Sequence, residues 1–477
     1  MKRISGWLLV ALLSAAPALA VDGGARASAK EQTQSPAVEQ GKRLIYALTH
    51  GSDADFLKTL HTVYPGTKTP DAQWLEFRGN LANLQYHGVN EATPTHADLS
   101  VYDANGQDWA RILVDVSPAP AHPVTSFGIH QGTRPADVPA PPKLPPDALV
   151  AAARKQIATD VATGNFSGAA IIARNGKPIF ERAYGYADRA AKTPNTLNSK
   201  FRIGSMDKMF TSVAIMQLAQ AGKLDLNASI GKYLPDYPNK SAAAKVTVNE
   251  LLAHAGGVGD FFGPEFEAHR NDLRDPKDYV ALFGKRPLEF EPGTRQSYSN
   301  FGYIVLGRIV EMVSGQSYDD YVQQHIYVPA HMTSTGQEPE TVQVPGRVTG
   351  YANKDGKLVP ATEDQVWRGT PAGGGYSTVG DLLNFANALM ANGLLDAAHT
   401  ALLTNGTISL PGGDKTHYDF GNSTDDGTRY FGHAGGAPGQ NGELRIFPKS
   451  GYVIVVLANR DPPAATAIAT FIGDRLK

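Results

Sequence analysis

Two kinds of hydrophobic spacing divide the chain into two folded regions. In the first, apolar residues between positions 44 and 63 recur at helical intervals with a break near Gly51, which predicts one or two amphipathic helices. Strand-like runs follow at 82–89, 97–102, 109–116 and 125–130. The turn residues Asp103-Ala104-Asn105-Gly106 lie between the middle two runs and predict a hairpin. We therefore predict a small α+β unit over residues 40–132, a helix against an antiparallel sheet.

A proline-rich segment separates this unit from a larger one. Residues 134–146 contain six prolines in thirteen residues, a composition that favours extended backbone over helix, and we place a linker at 133–146. Further strand-like runs lie at 168–174, 178–184, 443–447 and 453–457, and mostly helical patterns lie between residues 206 and 324 and at both ends, 148–162 and 464–476. For residues 147–477 we predict an α+β domain: an antiparallel sheet built from both ends of the region and flanked by helices, with a mostly helical insert.

The first twenty residues have the features of an export signal. Lys2 and Arg3 precede an apolar run over residues 7–13, and the small-residue triplet Ala18-Leu19-Ala20 follows. The alternative, a membrane anchor, is disfavoured because the apolar run is shorter than the ~20 residues that cross a bilayer. We expect cleavage after Ala20, a flexible lead-in over 21–39, and a mature protein in the periplasm or outside the cell.

Composition excludes several classes of site. The chain has 477 residues, 42% of them hydrophobic, and its net charge of −2 offers no electrostatic footprint for nucleic acid. It contains no cysteine, which excludes disulfides, thiolate metal sites and a cysteine nucleophile. The 13 histidines show no His-Glu-X-X-His spacing, and the glycine-rich stretches lack nucleotide-binding patterns. We expect neither a metal nor another cofactor.

Ser205 and Lys208 are the first candidates for catalysis. Residues three apart on a helix share a face, and a lysine whose charge is disfavoured by burial can activate a serine hydroxyl. The alternative is a serine that caps a helix, with a solvated lysine in its first turn. Ser229 and Lys232 repeat the spacing, so the pair alone does not identify a nucleophile.

Tyr298 and Asn300 form a second candidate motif, placed just before an apolar helix. A phenol beside a lysine ammonium can be held as phenolate and act as a base, and a carboxamide can bind a substrate amide or carboxylate. The same Tyr-X-Asn spacing occurs at 237–239 and 351–353. Taken alone, this motif also carries little information.

The third motif is His433-Ala434-Gly435-Gly436, which precedes a strand-like run. Glycines there let a substrate approach the main chain, and a main-chain N–H could stabilise an oxyanion. The alternative for His433 is a packing role at a strand edge. A similar motif at His254 lies where a helix ends with Gly256 or Gly257, and we interpret His254 as structural.

In their order along the chain, these motifs resemble those of the penicillin-recognising serine hydrolases. This β-lactamase-related group includes class C β-lactamases, DD-carboxypeptidases, D-aminopeptidases and family VIII esterases. The resemblance covers residues 147–477 and rests on segments 201–208, 251–257, 298–300, 373–378 and 433–436. It implies a β-lactamase/transpeptidase-like fold for the larger unit.

The resemblance also implies an acyl-enzyme mechanism. Ser205 would attack a carbonyl, Lys208 and Tyr298 would share the proton transfers, and the main-chain N–H groups of Ser205 and Gly436 would hold the oxyanion. Three residues would bind the substrate: Asn300, His433 and Gly435. Histidine at position 433 is similar to the DD-peptidase and D-aminopeptidase branch, whereas class C β-lactamases usually carry lysine there.

The leading hypothesis is an exported serine hydrolase whose partner is a small-molecule or peptide substrate: a small ester, amide or D-amino-acid peptide. Alternatives are a non-catalytic cell-wall-peptide binding or scaffold protein that retains the fold and, less favoured, a true β-lactamase. The 40–132 unit resembles cystatin- or NTF2-like modules and could dock a partner, guide substrate or inhibit as a lid. Nothing in the pattern predicts an oligomeric state.

Overall fold

The computed structural model describes residues 35–477 apart from 82, 105, 355–356, 362–364, 414 and 425. The predicted signal at 1–20 and residues 21–34 of the predicted lead-in lie outside the described residues. The main chain divides into two compact units between Pro141 and Pro142. In the described part of the chain, every helix falls short of the length and apolarity that a membrane crossing requires.

The first unit places helices against a four-stranded antiparallel sheet. Its elements are α1 (Pro36–Thr49), α2 (Asp53–Val63), α3 (Asp71–Leu81), β1 (Leu84–Ala92), β2 (His96–Asp103), β3 (Asp108–Val116) and β4 (Val124–Gln131). The strands lie in chain order, so the predicted hairpin between β2 and β3 is confirmed. Buried leucines of α1, among them Leu44 and Leu48, pack on Leu99 and Val114 of the sheet.

Two features of this unit differ from the sequence prediction. The lead-in predicted over 21–39 ends earlier, because Ser35 accepts a hydrogen bond from Val38 N at 3.3 Å and Pro36 opens α1. Helix α3 was not predicted. Its buried Trp74 and Phe77 pack with Phe127 of β4, so tertiary contacts stabilise a segment whose own spacing is not amphipathic.

The second unit is rich in α-helices. The helices are α4 (Pro146–Ala162), α5 (Asp207–Gln220), α6 (Lys240–Lys245), α7 (Val248–Leu252), α8 (Pro264–His269), α9 (Pro276–Phe283), α10 (Asn300–Ser314), α11 (Tyr318–Val322), α12 (Val379–Met390), α13 (Ala397–Asn405) and α14 (Thr466–Gly473). Short helical turns of other types lie at Gly204–Met206, Ile230–Lys232, Gln323–Tyr327 and Pro411–Gly413.

The strands of the second unit are mostly short, apart from those of one sheet. They are β5 (Gly168–Arg174), β6 (Lys177–Tyr184), β7 (Tyr186–Asp188), β8 (Thr193–Pro194), β9 (Phe201–Arg202), β10 (Tyr351–Lys354), β11 (Lys357–Pro360), β12 (Tyr376–Ser377), β13 (Thr407–Ser409), β14 (Lys415–His417), β15 (Gly421–Ser423), β16 (Arg429–Ala437), β17 (Gln440–Phe447) and β18 (Tyr452–Ala458). The turn Asn175-Gly176 joins β5 to β6.

One antiparallel sheet of six strands organises this unit, in the order β15-β16-β17-β18-β5-β6. The two ends of the region thus meet at the β18–β5 pairing, and the predicted α+β architecture is confirmed. Helices α4 and α14 cover one face of the sheet, while α5 and the helical insert cover the other. The start of α4 departs from the predicted linker: Leu144 N donates to Arg475 O at 2.8 Å, so residues 142–146 belong to the second unit.

Candidate active site

The turn before helix α5 lies directly against strand β16. Residues Gly204–Met206 form a 3-10 turn that leads into α5, and Gly204 has a φ of +51°, a conformation that favours glycine. A Cβ on Gly204 would lie 2.9 Å from Gly436 N, and a Cβ on Gly435 would lie 3.0 Å from Ser205 N. The structure therefore brings Ser205 beside Gly435 and Gly436, two segments more than 200 residues apart in the chain.

The peptide between Gly435 and Gly436 is held in one orientation by Asn441. Asn441 Nδ2 donates to Gly435 O at 2.8 Å, and Asn441 Oδ1 accepts from Ala465 N at 2.6 Å. Because the carbonyl and N–H of one peptide point in opposite directions, this contact directs the Gly436 N–H toward the turn that carries Ser205. The geometry suits a pair of N–H groups that hold an oxyanion.

A glycine loop runs behind the same turn. A Cβ on Gly373 would lie 3.0 Å from Gly204 O, and Gly375 N donates to Asp207 Oδ2 at 2.6 Å. Gln337 Nε2 donates to the other carboxylate oxygen of Asp207 at 3.0 Å. Burial nonetheless raises the pKa of Asp207 to about 7. Because the loop approaches the turn so closely, Gly373 and Gly375 have no room for a side chain.

Lys208 is completely buried one helical turn after Ser205. Its Nζ donates to Asn300 Oδ1 at 2.8 Å and to Ala372 O at 2.7 Å, and lies 4.8 Å from the ring centroid of Tyr298. Burial lowers the pKa of Lys208 to about 8, although nearby carboxylates oppose the shift. A substantial share of the amine can therefore be neutral near physiological pH.

Tyr298 connects this lysine to the serine. Its hydroxyl is hydrogen-bonded to Ser205, and burial raises the pKa of the Tyr298 phenol well above its usual value. Lys208 Nζ lies over the face of the ring and donates to other acceptors. The resting group is therefore a neutral phenol, in contrast to the phenolate considered from the sequence.

Asn300 is buried, with 3% of its surface exposed, as the first residue of α10. Its Oδ1 accepts from Lys208, and its Nδ2 donates to Asp260 Oδ2 at 2.8 Å. Asp260 Oδ2 also accepts from Asn300 N at 3.2 Å. Asp260 thus sets the orientation of the amide so that its oxygen faces the lysine. Asn300 therefore connects Lys208 to Asp260, and its contact with a substrate stays a prediction.

His254, interpreted from the sequence as structural, lies under Tyr298 and borders the site. The two ring centroids are 4.4 Å apart, and His254 Nδ1 accepts from Ser299 N at 3.1 Å. His254 has a φ of +56° after the end of α7, which turns the ring into the site. It positions the segment that carries Tyr298.

His433 joins the same cluster through a carboxylate. Its Nε2 lies 2.7 Å from Asp419 Oδ2, and His254 Nε2 lies 2.8 Å from the same oxygen. Burial alone would raise the pKa of Asp419, but the two histidines outweigh it and hold that pKa well below its usual range. The predicted substrate residue His433 is thus within the site, with its ring engaged by an ionised carboxylate.

Comparison with known proteins identifies the family of the second unit. A family model described as Beta-lactamase matches residues 153–476. The chain belongs to the β-lactamase family. It is 31% identical over 293 residues to the putative penicillin-binding protein PbpX of Bacillus subtilis, a match that covers 61% of this chain and 70% of the relative.

Solved structures of this β-lactamase-family fold agree with that assignment. A penicillin-binding protein from Bacillus halodurans is 30% identical, with 66% of this chain and 98% of that chain covered at a TM-score of 0.58. The D-amino acid amidase of Ochrobactrum anthropi, in complex with D-phenylalanine, is 23% identical, with 69% and 97% covered at a TM-score of 0.57. The latter likeness shows the shared fold alone.

Three residues of this β-lactamase-family site were not predicted from the sequence: Asp260, Asp419 and Asn441. None belongs to a spaced motif. Asp260 acts on Asn300, 40 positions later, whereas Asn441 acts on Gly435 of the adjoining strand, six positions earlier. The one local signal is the glycine pair before Asp260, Gly256 and Gly257, which indicates a tight loop. Their roles follow only from the fold.

Proposed function

We propose that the chain is a serine hydrolase that forms an acyl-enzyme at Ser205. The observation that carries this proposal is the chain of contacts behind the serine. Ser205 is hydrogen-bonded to Tyr298, and Tyr298 lies against Lys208, a buried amine whose pKa is lowered to about 8. A serine that only caps a helix needs neither partner.

The contacts of Lys208 suit a base. In the neutral amine, two N–H bonds donate to Asn300 Oδ1 and Ala372 O, and the nitrogen lone pair remains able to accept a proton. As Ser205 Oγ bonds to the substrate carbonyl carbon, its proton moves to the Tyr298 oxygen while the Tyr298 proton moves toward Lys208. The carbonyl electron pair shifts to the oxygen, which lies between the N–H groups of Ser205 and Gly436.

Collapse of this intermediate completes acylation. The carbonyl re-forms, the bond to the leaving group breaks, and the proton returns through Tyr298 to the leaving atom. Water then attacks the ester carbon, and its proton follows the same route. The acid is released, and the Ser205 hydroxyl is restored. The amino end of α5 adds favourable dipoles to the oxyanion.

The substrate class that we propose is a small ester, amide or D-amino-acid peptide. The names of two relatives of about 30% identity support a peptide-like substrate, since both are penicillin-binding proteins. A true β-lactamase is the weaker alternative because His433 replaces the lysine expected there from the resemblance. We also propose that residues 1–20 direct export and are cleaved, so that the enzyme acts in the periplasm or outside the cell.

Intact-mass spectrometry of the mature protein tests the proposal. The protein is exposed separately to a fluorophosphonate, to benzylpenicillin and to p-nitrophenyl acetate. We expect one adduct, lost in Ser205→Ala and retained in Ser229→Ala, the matched change in the second Ser-X-X-Lys segment. If the parent forms no adduct with any probe, the chain is instead a binding protein that retains the fold.

A further inference from the structure

Asp419 links two segments of the site that the proposed mechanism uses separately. Asp419 N donates to Leu252 O at 3.1 Å, which anchors it beside the end of α7. Both histidines approach the same carboxylate oxygen, His254 from beneath Tyr298 and His433 from strand β16. The Asp419 side chain still has 22% of its surface exposed. An ionised carboxylate therefore borders the site without being sealed inside the protein.

The contacts of the two histidines define where their ring nitrogens point. His254 Nδ1 accepts from Ser299 N, and His254 Nε2 lies 2.8 Å from Asp419 Oδ2. His433 Nδ1 faces Ala434 O and its Nε2 faces Asp419, so both ring nitrogens meet acceptors. Both ring nitrogens of His433 are therefore already engaged by oxygen atoms of the protein.

The proposed mechanism places the leaving group of a substrate on the Tyr298 side of Ser205. The leaving group receives its proton through Tyr298, and the Tyr298 ring rests on His254, which in turn contacts Asp419. The charge of Asp419 contributes to the raised pKa of Tyr298, after the larger effect of burial. An anionic group on the departing part of the substrate would therefore approach Asp419 and find no free donor on His433.

We infer that Asp419 is a specificity-determining residue that makes this enzyme prefer substrates with an uncharged leaving group over those whose leaving group carries a carboxylate. The inference rests on the proposed function and narrows its substrate class. Neutral esters and amides, including amides of D-amino acids, fit this site. Peptides that release a free amino acid as the leaving group, and penicillins, would bring a leaving-group carboxylate close to the carboxylate of Asp419.

A matched pair of thioesters tests this preference in the full-length mature enzyme. One is an N-acylglycyl thioester of thioglycolate, and the other is the methyl ester of the same compound, which differs only in the leaving-group charge. Thiol release can be followed directly because the chain has no cysteine. Each kcat/KM is divided by the rate constant for hydrolysis of the same thioester by hydroxide. This division removes the difference in intrinsic reactivity between the two thioesters.

We expect the parent enzyme to favour the neutral thioester by about tenfold or more on this normalised scale. Asp419→Asn retains an oxygen for both histidines and removes the charge, so it should reduce the preference by about tenfold, whatever it does to the two rates separately. Asp426→Asn is the matched control, since Asp426 pairs with Lys143 at 2.6 Å instead of with the site. It should leave the preference unchanged.

The possible failures are distinguishable. If the parent hydrolyses both thioesters but favours the carboxylate, or if folded Asp419→Asn keeps the parent preference, the inference is wrong and the proposed function stands. The measurement on the parent enzyme decides which thioester is preferred even if Asp419→Asn does not fold. If the parent hydrolyses neither thioester and Ser205 takes no label, the proposed function fails and the inference falls with it.

Discussion

Raising the pH is expected to accelerate acylation of Ser205, with a midpoint near pH 8. Only the free amine of Lys208 can accept a proton, and burial lowers the pKa of Lys208 from 10.5 to about 8. Since the deprotonated form is the base, the rate should rise as pH passes through this pKa and level off above it.

The size of the effect follows from the neutral fraction of the amine. This fraction is about 1% at pH 6, about 9% at pH 7 and about 91% at pH 9, so the rate should increase roughly ninetyfold between pH 6 and pH 9. A lysine that kept a pKa of 10.5 would be only about 0.03% neutral at pH 7. Burial therefore increases the concentration of free amine roughly 300-fold at neutral pH.

Substituting a charged neighbour of Lys208 tests whether titration of Lys208 causes the pH dependence. The charges of Asp419, Asp260 and Asp207 all oppose the shift, so Asp260→Asn should move the midpoint to lower pH. The pKa of Asp207 is raised to about 7, and its ionisation within the same range should make the profile shallower than that of a single group.

The assay is the second-order rate of labelling by an uncharged fluorophosphonate, measured by intact mass at constant ionic strength. The probe itself does not titrate between pH 6 and pH 9, so the profile reports the enzyme. Asp426→Asn, which removes a remote carboxylate, should leave the midpoint in place. A rate that is flat over this range, or a midpoint that rises in Asp260→Asn, would refute the assignment of Lys208 as the base.

Two substitutions and one truncation give further tests of the fold. Gly435→Ala would place a Cβ 1.8 Å from a main-chain oxygen, so melting and fluorophosphonate labelling should both be impaired, while Gly380→Ala, with its nearest neighbour atom at 3.8 Å, should alter neither. Glu443→Ala removes the partner of buried Arg445, 2.5 Å away, and urea unfolding should show a loss of about 3–5 kcal/mol; a loss below about 1 kcal/mol would contradict a buried ion pair. Residues 142–477 contain the six-stranded sheet and the site. This fragment should therefore unfold cooperatively and still be labelled by the fluorophosphonate. Failure to fold would show that it needs the first unit.

The sheet of the second unit could be predicted because its signals are local. The Asn-Gly turn fixes the β5–β6 hairpin, and continuous apolar runs mark β17 and β18. Helix α3 could not be predicted, since its two buried aromatic residues contact a strand some 50 positions later. Spacing within a short segment does not report such partners.

The candidate catalytic residues were recognisable only as an ordered set. Ser205 and Lys208 share their spacing with Ser229 and Lys232, and the structure separates the two pairs by burial: Lys232 is exposed, whereas Lys208 is fully buried. The buried environment comes from Asn300 and from a glycine loop beyond residue 370. No property of the four residues Ser-X-X-Lys contains that information.

Asp419 shows the limit of motif reasoning most clearly. It stands between two aromatic residues, Tyr418 and Phe420, and belongs to no spaced motif. Its partners His254 and His433 were interpreted one at a time, the first as structural and the second as a substrate-binding residue. A shared carboxylate links the two residues, because it engages Nε2 of His433 and also contacts the ring that supports Tyr298. Where two histidines use one carboxylate oxygen, the charge offered to a substrate is a property of all three residues together.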